Sequence, residues 1–193
     1  AGAATGLSGA AQAQVAVTER DVKIKTADGT CDAVLFTPSG RGSRPGVLVW
    51  PDAGGLRPVK RDMGKRLAGQ GYVVLVVNPF YRSAKAPVIG DNFDFSNPEQ
   101  RARLTGYRNA MSDQGVDNDS QAFVAFLDAQ PQTNKVRKVG VQGYCMGGTI
   151  ALSLARTGAD LKAVVAFHSS NIAASGDEAA ALAASVVIHC NEV

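Results

Sequence analysis

The residue best suited to covalent chemistry is Cys145, because of its neighbours. Gly143-Tyr144-Cys145-Met146-Gly147-Gly148 follows the apolar, β-branched run from Val136 to Val141 and precedes the small-residue stretch Thr149 to Ala155. Where a strand turns abruptly into a helix at Gly-x-Cys-x-Gly, the central residue is forced into a strained backbone conformation that lifts its side chain above the sheet, the form of a nucleophile elbow. Glycines are needed at 143 and 147, since side chains there would collide with neighbouring backbone. The helix start favours a thiolate, and the N–H of Met146 points to where an oxyanion would form. A second oxyanion donor is expected from the loop Pro51-Asp52-Ala53-Gly54-Gly55, at the N–H of Ala53. The motif is not a phosphate loop, which would need a lysine, and does not match the dinucleotide pattern G-x-G-x-x-G.

A cysteine nucleophile needs a base, and the base an orienting acid. The chain holds two histidines. His189 lies inside the strand-like run Val186-Val187-Ile188-His189-Cys190 and reads as a packed core residue. His168, in Phe167-His168-Ser169-Ser170, leaves the carboxyl end of a strand, where α/β sites gather, and reads as pocket wall before base. The three cysteines, Cys31, Cys145 and Cys190, cannot all pair internally, and no Cys/His spacing suggests zinc. A redox role for Cys145 lacks a resolving cysteine nearby. No metal or cofactor is expected.

The elements that must position these residues follow from hydrophobic pattern. Asp21 to Lys25 alternates, Ala27-Asp28-Gly29 supplies a turn, and Cys31 to Thr37 continues, giving a β-hairpin. Gly46 to Trp50 and Tyr72 to Val77 are continuous apolar runs, as in strands buried on both faces of a parallel sheet. Between them Val59 to Gln70 reads as a helix with Val59, Met63 and Leu67 as its apolar stripe, completing a βαβ unit. Asn97 and Pro98 supply an N-cap and first helical residue. Gly115 to Ala129 is a helix with Asp117 and Asp119 near its positive end. Val136 to Val141 is the strand before the elbow, Leu161 to Phe167 the next, Asp177 to Ala184 a short helix, and Ser185 to Cys190 a last strand.

The whole chain of 193 residues, 45% apolar and 19% charged, has the balance of one globular domain. Its net charge of +3 is scattered, which gives no electrostatic case for nucleic acid or an anionic membrane, and no apolar run is long enough to span one. The uncharged first stretch, AGAATGLSGAAQAQ, contains the A-x-A pattern Ala11-Gln12-Ala13. Residues 1–15 therefore read as the remnant of an export signal, which implies a periplasmic or secreted protein, or as a flexible extension of a cytoplasmic one. Residues 16–193 form the folded domain.

GYCMGG after KVGVQ, WPDAGGL after a buried strand, and NPFYR together resemble the dienelactone hydrolase (carboxymethylenebutenolidase-like) family of α/β hydrolases, over about Thr18 to Glu192. The resemblance implies an α/β-hydrolase fold, a mostly parallel twisted sheet flanked by helices. It also implies a hydrolase that cleaves an enol-lactone or related carboxylic ester, with Cys145 as nucleophile and Asp52 controlling its ionisation. Arg82, beside Tyr81, would hold a substrate carboxylate, since a planar guanidinium suits that task. In family order the triad acid and histidine come after the strand ending near His189, so they are expected beyond Val193 together with the fold's last strand and helix; Glu192 is not read as the acid. The partner is a small ester or lactone, and oligomeric state is not legible. The competing reading is a non-catalytic protein of the same fold that binds a small ligand.

Overall fold

The computed structural model describes residues 15–156, 161–168 and 185–189. Residues 1–14 of the segment read as an export-signal remnant, and the short helix expected at Asp177 to Ala184, lie outside them. A mixed seven-stranded sheet in the order β1-β2-β4-β3-β5-β6-β7 forms the centre of the described chain. β1 (Val17–Thr26) and β2 (Gly29–Pro38) form the expected antiparallel hairpin, and β2 pairs antiparallel with β4 (Val73–Val77). From there β4, β3 (Gly46–Trp50), β5 (Gly140–Tyr144), β6 (Ala163–Phe167) and β7 (Ser185–His189) run parallel.

Strand alternation divides the core between the two faces of the sheet. Val34, Phe36, Val74 and Val76 point to one side, where α1 (Pro58–Gly69) packs. Ala33, Leu35, Val73, Leu75 and Val77 point to the other, under α3 (Asp113–Asp128) and α4 (Met146–Arg156), which contribute Phe123, Leu127, Ala151 and Leu154. Every residue of β4 is buried, as its unbroken apolar run requires. α2 (Pro98–Asn109) begins at Asn97, whose side chain accepts from the N–H groups of Glu99 and Gln100, with Pro98 at the first helical position. It helps form a smaller cluster in which Phe80, Val88 and Leu104 bury the side chain of Met146.

Two elements differ from their sequence pattern. In α1 the face turned to the sheet carries Lys60, Gly64 and Ala68, while Val59 is 48% exposed. Gly64 decides this: a Cβ there would lie 2.7 Å from both Phe36 and Val76, so the helix backbone sits directly on the sheet and the larger apolar residues are displaced sideways. The strand expected at Val136 to Val141 starts at Gly140 instead, and Val136 is 94% exposed. The Asn134 side chain accepts from the N–H groups of Val136 and Arg137 at 2.9 and 3.0 Å, a local turn that outcompetes sheet pairing.

Candidate active site

Cys145 stands between β5 and α4 with φ of 51° and is exposed. A left-handed conformation is uncommon for a residue with a side chain and persists where the surroundings over-determine it. Here they do. The N–H of Cys145 donates to the carbonyl of Phe167 at 2.7 Å, and its own carbonyl accepts from Gly148 and Thr149 at 2.9 and 3.1 Å as α4 begins. A Cβ on Gly143 would lie 2.0 Å from the carbonyl oxygen of Gly147, and one on Gly147 would lie 2.2 Å from that of Trp50. The turn from β5 into α4 is thus pressed against the end of β3, and only glycine fits at both positions.

Tyr144 and Phe167 are register partners on adjacent strands, so the next residue of each, Cys145 and His168, leaves the sheet at the same edge. His168 also has φ of 51° and is exposed. Beneath them the Tyr144 and Phe167 rings stack, with centroids 5.0 Å apart. His189 ends β7 opposite Phe167.

The third contributor to this edge is the loop after β3. Asp52 folds it: its carbonyl accepts from the Gly55 N–H, and its side chain accepts from the Gly54 N–H, both at 2.9 Å. The same carboxylate receives Arg57 in a fork, at 2.6 and 3.0 Å, and Lys60 at 2.9 Å. Partial burial pushes the Asp52 pKa up, but hydrogen bonds and charge from Arg57 and Lys60 outweigh it and bring the pKa to about 2. Asp52, expected to act on the Cys145 thiol, therefore faces two cations as a stable carboxylate. Among the described residues no acceptor meets the N–H of Ala53 or of Met146.

Arg82 and Tyr81, expected at a substrate, are engaged within the protein. Arg82 donates to Asp119 at 2.7 Å and to Asp28 at 2.6 and 2.9 Å, and Tyr81 donates to Asp119 at 2.7 Å while pairing with the Thr26 hydroxyl. Asp119, which the pattern assigned to the positive end of α3, is 1% exposed and carries this pair. The guanidinium meets two protein carboxylates.

Lys60 was missed because a lysine on an amphipathic helix reads as solvated. One signal was present: Arg57 and Lys60 flank the start of α1, where the helix dipole disfavours cations, and the first turn holds no acid. Such a placement calls for a carboxylate partner upstream, and Asp52 is the one. A groove of about 750 Å³ beside Gly46, Tyr72, Val136 and Lys162 lies at the opposite, amino-terminal ends of the strands. Sites in open α/β sheets form at the carboxyl ends, which is where Cys145, His168 and the Asp52 loop converge.

Comparison with known proteins agrees with this architecture. The model of the dienelactone hydrolase family matches residues 31–193. A carboxymethylenebutenolidase from a Pseudomonas species is 34% identical over 67% of this chain and 52% of its own length. A probable 2-oxo-3-(5-oxofuran-2-ylidene)propanoate lactonase from a Bradyrhizobium species is 29% identical over 70% of this chain and 50% of its own. The chain spans about half the length of these curated relatives. Among solved structures, a dienelactone hydrolase-like promiscuous phosphotriesterase from metagenomic libraries superimposes with a TM-score of 0.72 at 30% identity, over 90% of this chain and 69% of that one.

Proposed function

The chain belongs to the dienelactone hydrolase family, and from that premise we propose that its protein hydrolyses a small carboxylic ester or enol-lactone through Cys145. The observation that carries the reading is the left-handed backbone of an exposed cysteine at the first turn of α4, on the sheet edge that also carries the N–H groups of Met146 and Ala53, which meet no acceptor among the described residues. In this reaction the Cys145 thiolate attacks the carbonyl carbon, and the carbonyl electrons move onto oxygen. The resulting oxyanion accepts hydrogen bonds from Met146 and Ala53. Two such donors, fixed before the reaction begins, stabilise charge where it develops and need no rearrangement. Collapse of the intermediate breaks the bond to the ester or ring oxygen, which takes up a proton and leaves an acyl thioester on Cys145. Water then cleaves the thioester, returning the thiol and releasing the acid.

Support for a small ester or lactone comes from the relatives named above and from the shape of the loop after β3. Gly54 and Gly55 keep it low, with a Cβ on Gly54 reaching 2.7 Å from Arg57 and 2.8 Å from Ile89. His168, on the adjacent strand end, is suited to line the pocket.

The test uses the full-length protein with 4-nitrophenyl acetate and an enol-lactone. Turnover should vanish in Cys145→Ala, and iodoacetamide should label Cys145 well before Cys31, which is wholly buried and whose thiol burial pushes far above the usual range. Turnover that survives Cys145→Ala, or equal labelling of the two cysteines in the folded protein, overturns the reading.

A further inference from the structure

Lys60 is 5% exposed, yet it belongs to the first turn of a helix that has open solvent on its other face. A lysine seldom loses its water without a specific set of partners. Three surround this ammonium. Asp52 Oδ2 lies at 2.9 Å, the Tyr144 ring centroid at 4.3 Å, and the Met63 sulfur at 3.8 Å. Charge neutralisation does not explain it, because Asp52 is already held by both arms of Arg57. What Lys60 adds is a connection between elements. Arg57 closes the loop after β3 upon itself, also donating to the Gly55 carbonyl at 3.1 Å, whereas Lys60, in α1, joins that loop to the face of Tyr144 at the end of β5. Tyr144 in turn stacks on Phe167 at the end of β6, with the rings 9° from parallel.

We infer that Lys60 is a positioning residue that sets the Ala53 donor against Cys145, by fixing the Asp52 loop onto the aromatic pair beneath the Cys145 turn. The inference rests on the function proposed above. A cation over an aromatic face, desolvated and held at its other side by a carboxylate, has one preferred location, so it fixes distance as well as orientation. The residues following Asp52, Tyr144 and Phe167 are Ala53, Cys145 and His168. One column, carboxylate, ammonium, phenol ring and phenyl ring, therefore underlies all three strand ends of the candidate site. Placement of an oxyanion donor is sensitive to such a support, because a shift of a fraction of an ångström weakens the hydrogen bond only in the transition state.

The experiment compares full-length Lys60→Met, Lys60→Arg and Tyr144→Leu with Lys65→Met, a substitution on the exposed side of the same helix. Three readouts are needed: kcat and KM for hydrolysis with 4-nitrophenyl acetate as substrate, the rate of Cys145 alkylation by iodoacetamide, and amide hydrogen exchange over residues 52–57. Lys60→Met and Tyr144→Leu should lower kcat about 10- to 100-fold with KM changed by less than about threefold, as expected for a misplaced donor. Alkylation should stay near the parent rate, since it develops no oxyanion, and exchange over 52–57 should quicken. Lys60→Arg, which keeps a cation able to stack on Tyr144, should recover part of the loss, and Lys65→Met should match the parent. Unchanged kcat and unchanged loop exchange in Lys60→Met overturn the inference, as does alkylation slowed as much as turnover, which would make Lys60 a regulator of the thiol. Loop exchange reports on the Lys60 connection whether or not Cys145 is the nucleophile, whereas turnover surviving Cys145→Ala strikes only at the proposed reaction. If Lys60→Met does not fold, Tyr144→Leu and Lys60→Arg decide by the same criteria.

Discussion

Replacing Gly147 by alanine tests the contact on which the whole edge depends. The new Cβ would sit 2.2 Å from the Trp50 carbonyl oxygen, 2.5 Å from that of Pro51 and 2.6 Å from the Trp50 carbonyl carbon. All three are backbone atoms, so no side-chain rotation relieves the clash. Restoring ordinary van der Waals separation requires the turn at Cys145 and the end of β3 to part by about 1 Å, and both are anchored. The turn is held by the Cys145 N–H on Phe167 and by the pairing of Trp50 with Gly143; Trp50 is buried against Phe123 at a ring separation of 5.6 Å. Overpacking of this kind costs about 1–3 kcal/mol of stability. A displacement of about 1 Å between nucleophile and oxyanion donor costs on the order of 100-fold in rate, equivalent to about 2.7 kcal/mol of transition-state stabilisation. Trp50 is the chain's single tryptophan, so urea unfolding followed by its fluorescence reads the first quantity directly. The nitrophenolate burst per folded molecule reads the second. A Gly147→Ala protein that unfolds within about 0.5 kcal/mol of the parent and acylates at the parent rate would refute the close approach of these two elements and the reasoning built on it.

Substitutions at three further positions probe separate parts of the molecule. Gly106→Ala lies in α2, where a Cβ meets nothing within 4 Å, so it should raise stability by about 0.5–1 kcal/mol and shift the urea midpoint upward. Asp119→Ala leaves Arg82 with one carboxylate, Asp28, and Tyr81 with the Thr26 hydroxyl; the expected loss is about 2–4 kcal/mol, with Asp119→Asn intermediate, by the same urea assay. Asp52 has a folded pKa of about 2, below its ordinary value, so its contribution is complete above the ordinary carboxylate range and is lost as pH falls towards 2. Discounted for the carboxylate's partial exposure, it amounts to about 1–2 kcal/mol. The stability gap between parent and Asp52→Asn should therefore be constant from pH 7 to about pH 5 and close below about pH 4; a gap that persists at pH 2 would contradict the ion pairs.

Apolar pattern was enough to find most of the strands. Gly46 to Trp50 and the run ending at Val77 are unbroken, and burial on both faces leaves such residues no other place. The cap at Asn97 and the strand-to-helix turn at Cys145 were legible for a different reason: each is a local arrangement whose residues lie within a few positions of one another. The face of α1 was not, because periodicity weighs large apolar residues and gives no weight to Gly64, whose lack of a side chain brings the helix closest to the sheet. The pairing of Arg82 with Asp119 was hidden by distance along the chain. They are 37 positions apart, and a charge whose partner is that remote reads as solvated until the fold brings the two together.

The charged residues whose partners lie outside any local pattern share a location, and its physics explains why they are needed. At the carboxyl ends of the strands the main-chain donors of Ala53 and Met146 meet no acceptor among the described residues, so these loops forgo bonds that would otherwise fix them. Directional side-chain bonds remain, and a carboxylate, with two oxygens and no donor, gathers several N–H groups at once. Asp52 gathers the Gly54 N–H, Arg57 and Lys60. Asp32 gathers the Asn78 side chain at 2.9 Å and the Ala86 N–H at 2.8 Å, while Asn78 in turn accepts from Phe80 and donates to the Ala84 carbonyl. Asp119 gathers Tyr81 and Arg82. Each of the loops following β3 and β4 is thus fixed by carboxylates, and those holding the second loop come from β2 and α3. Such bonds hold geometry with little apolar area, so removing one carboxylate should disturb its own loop more than the sheet that carries it.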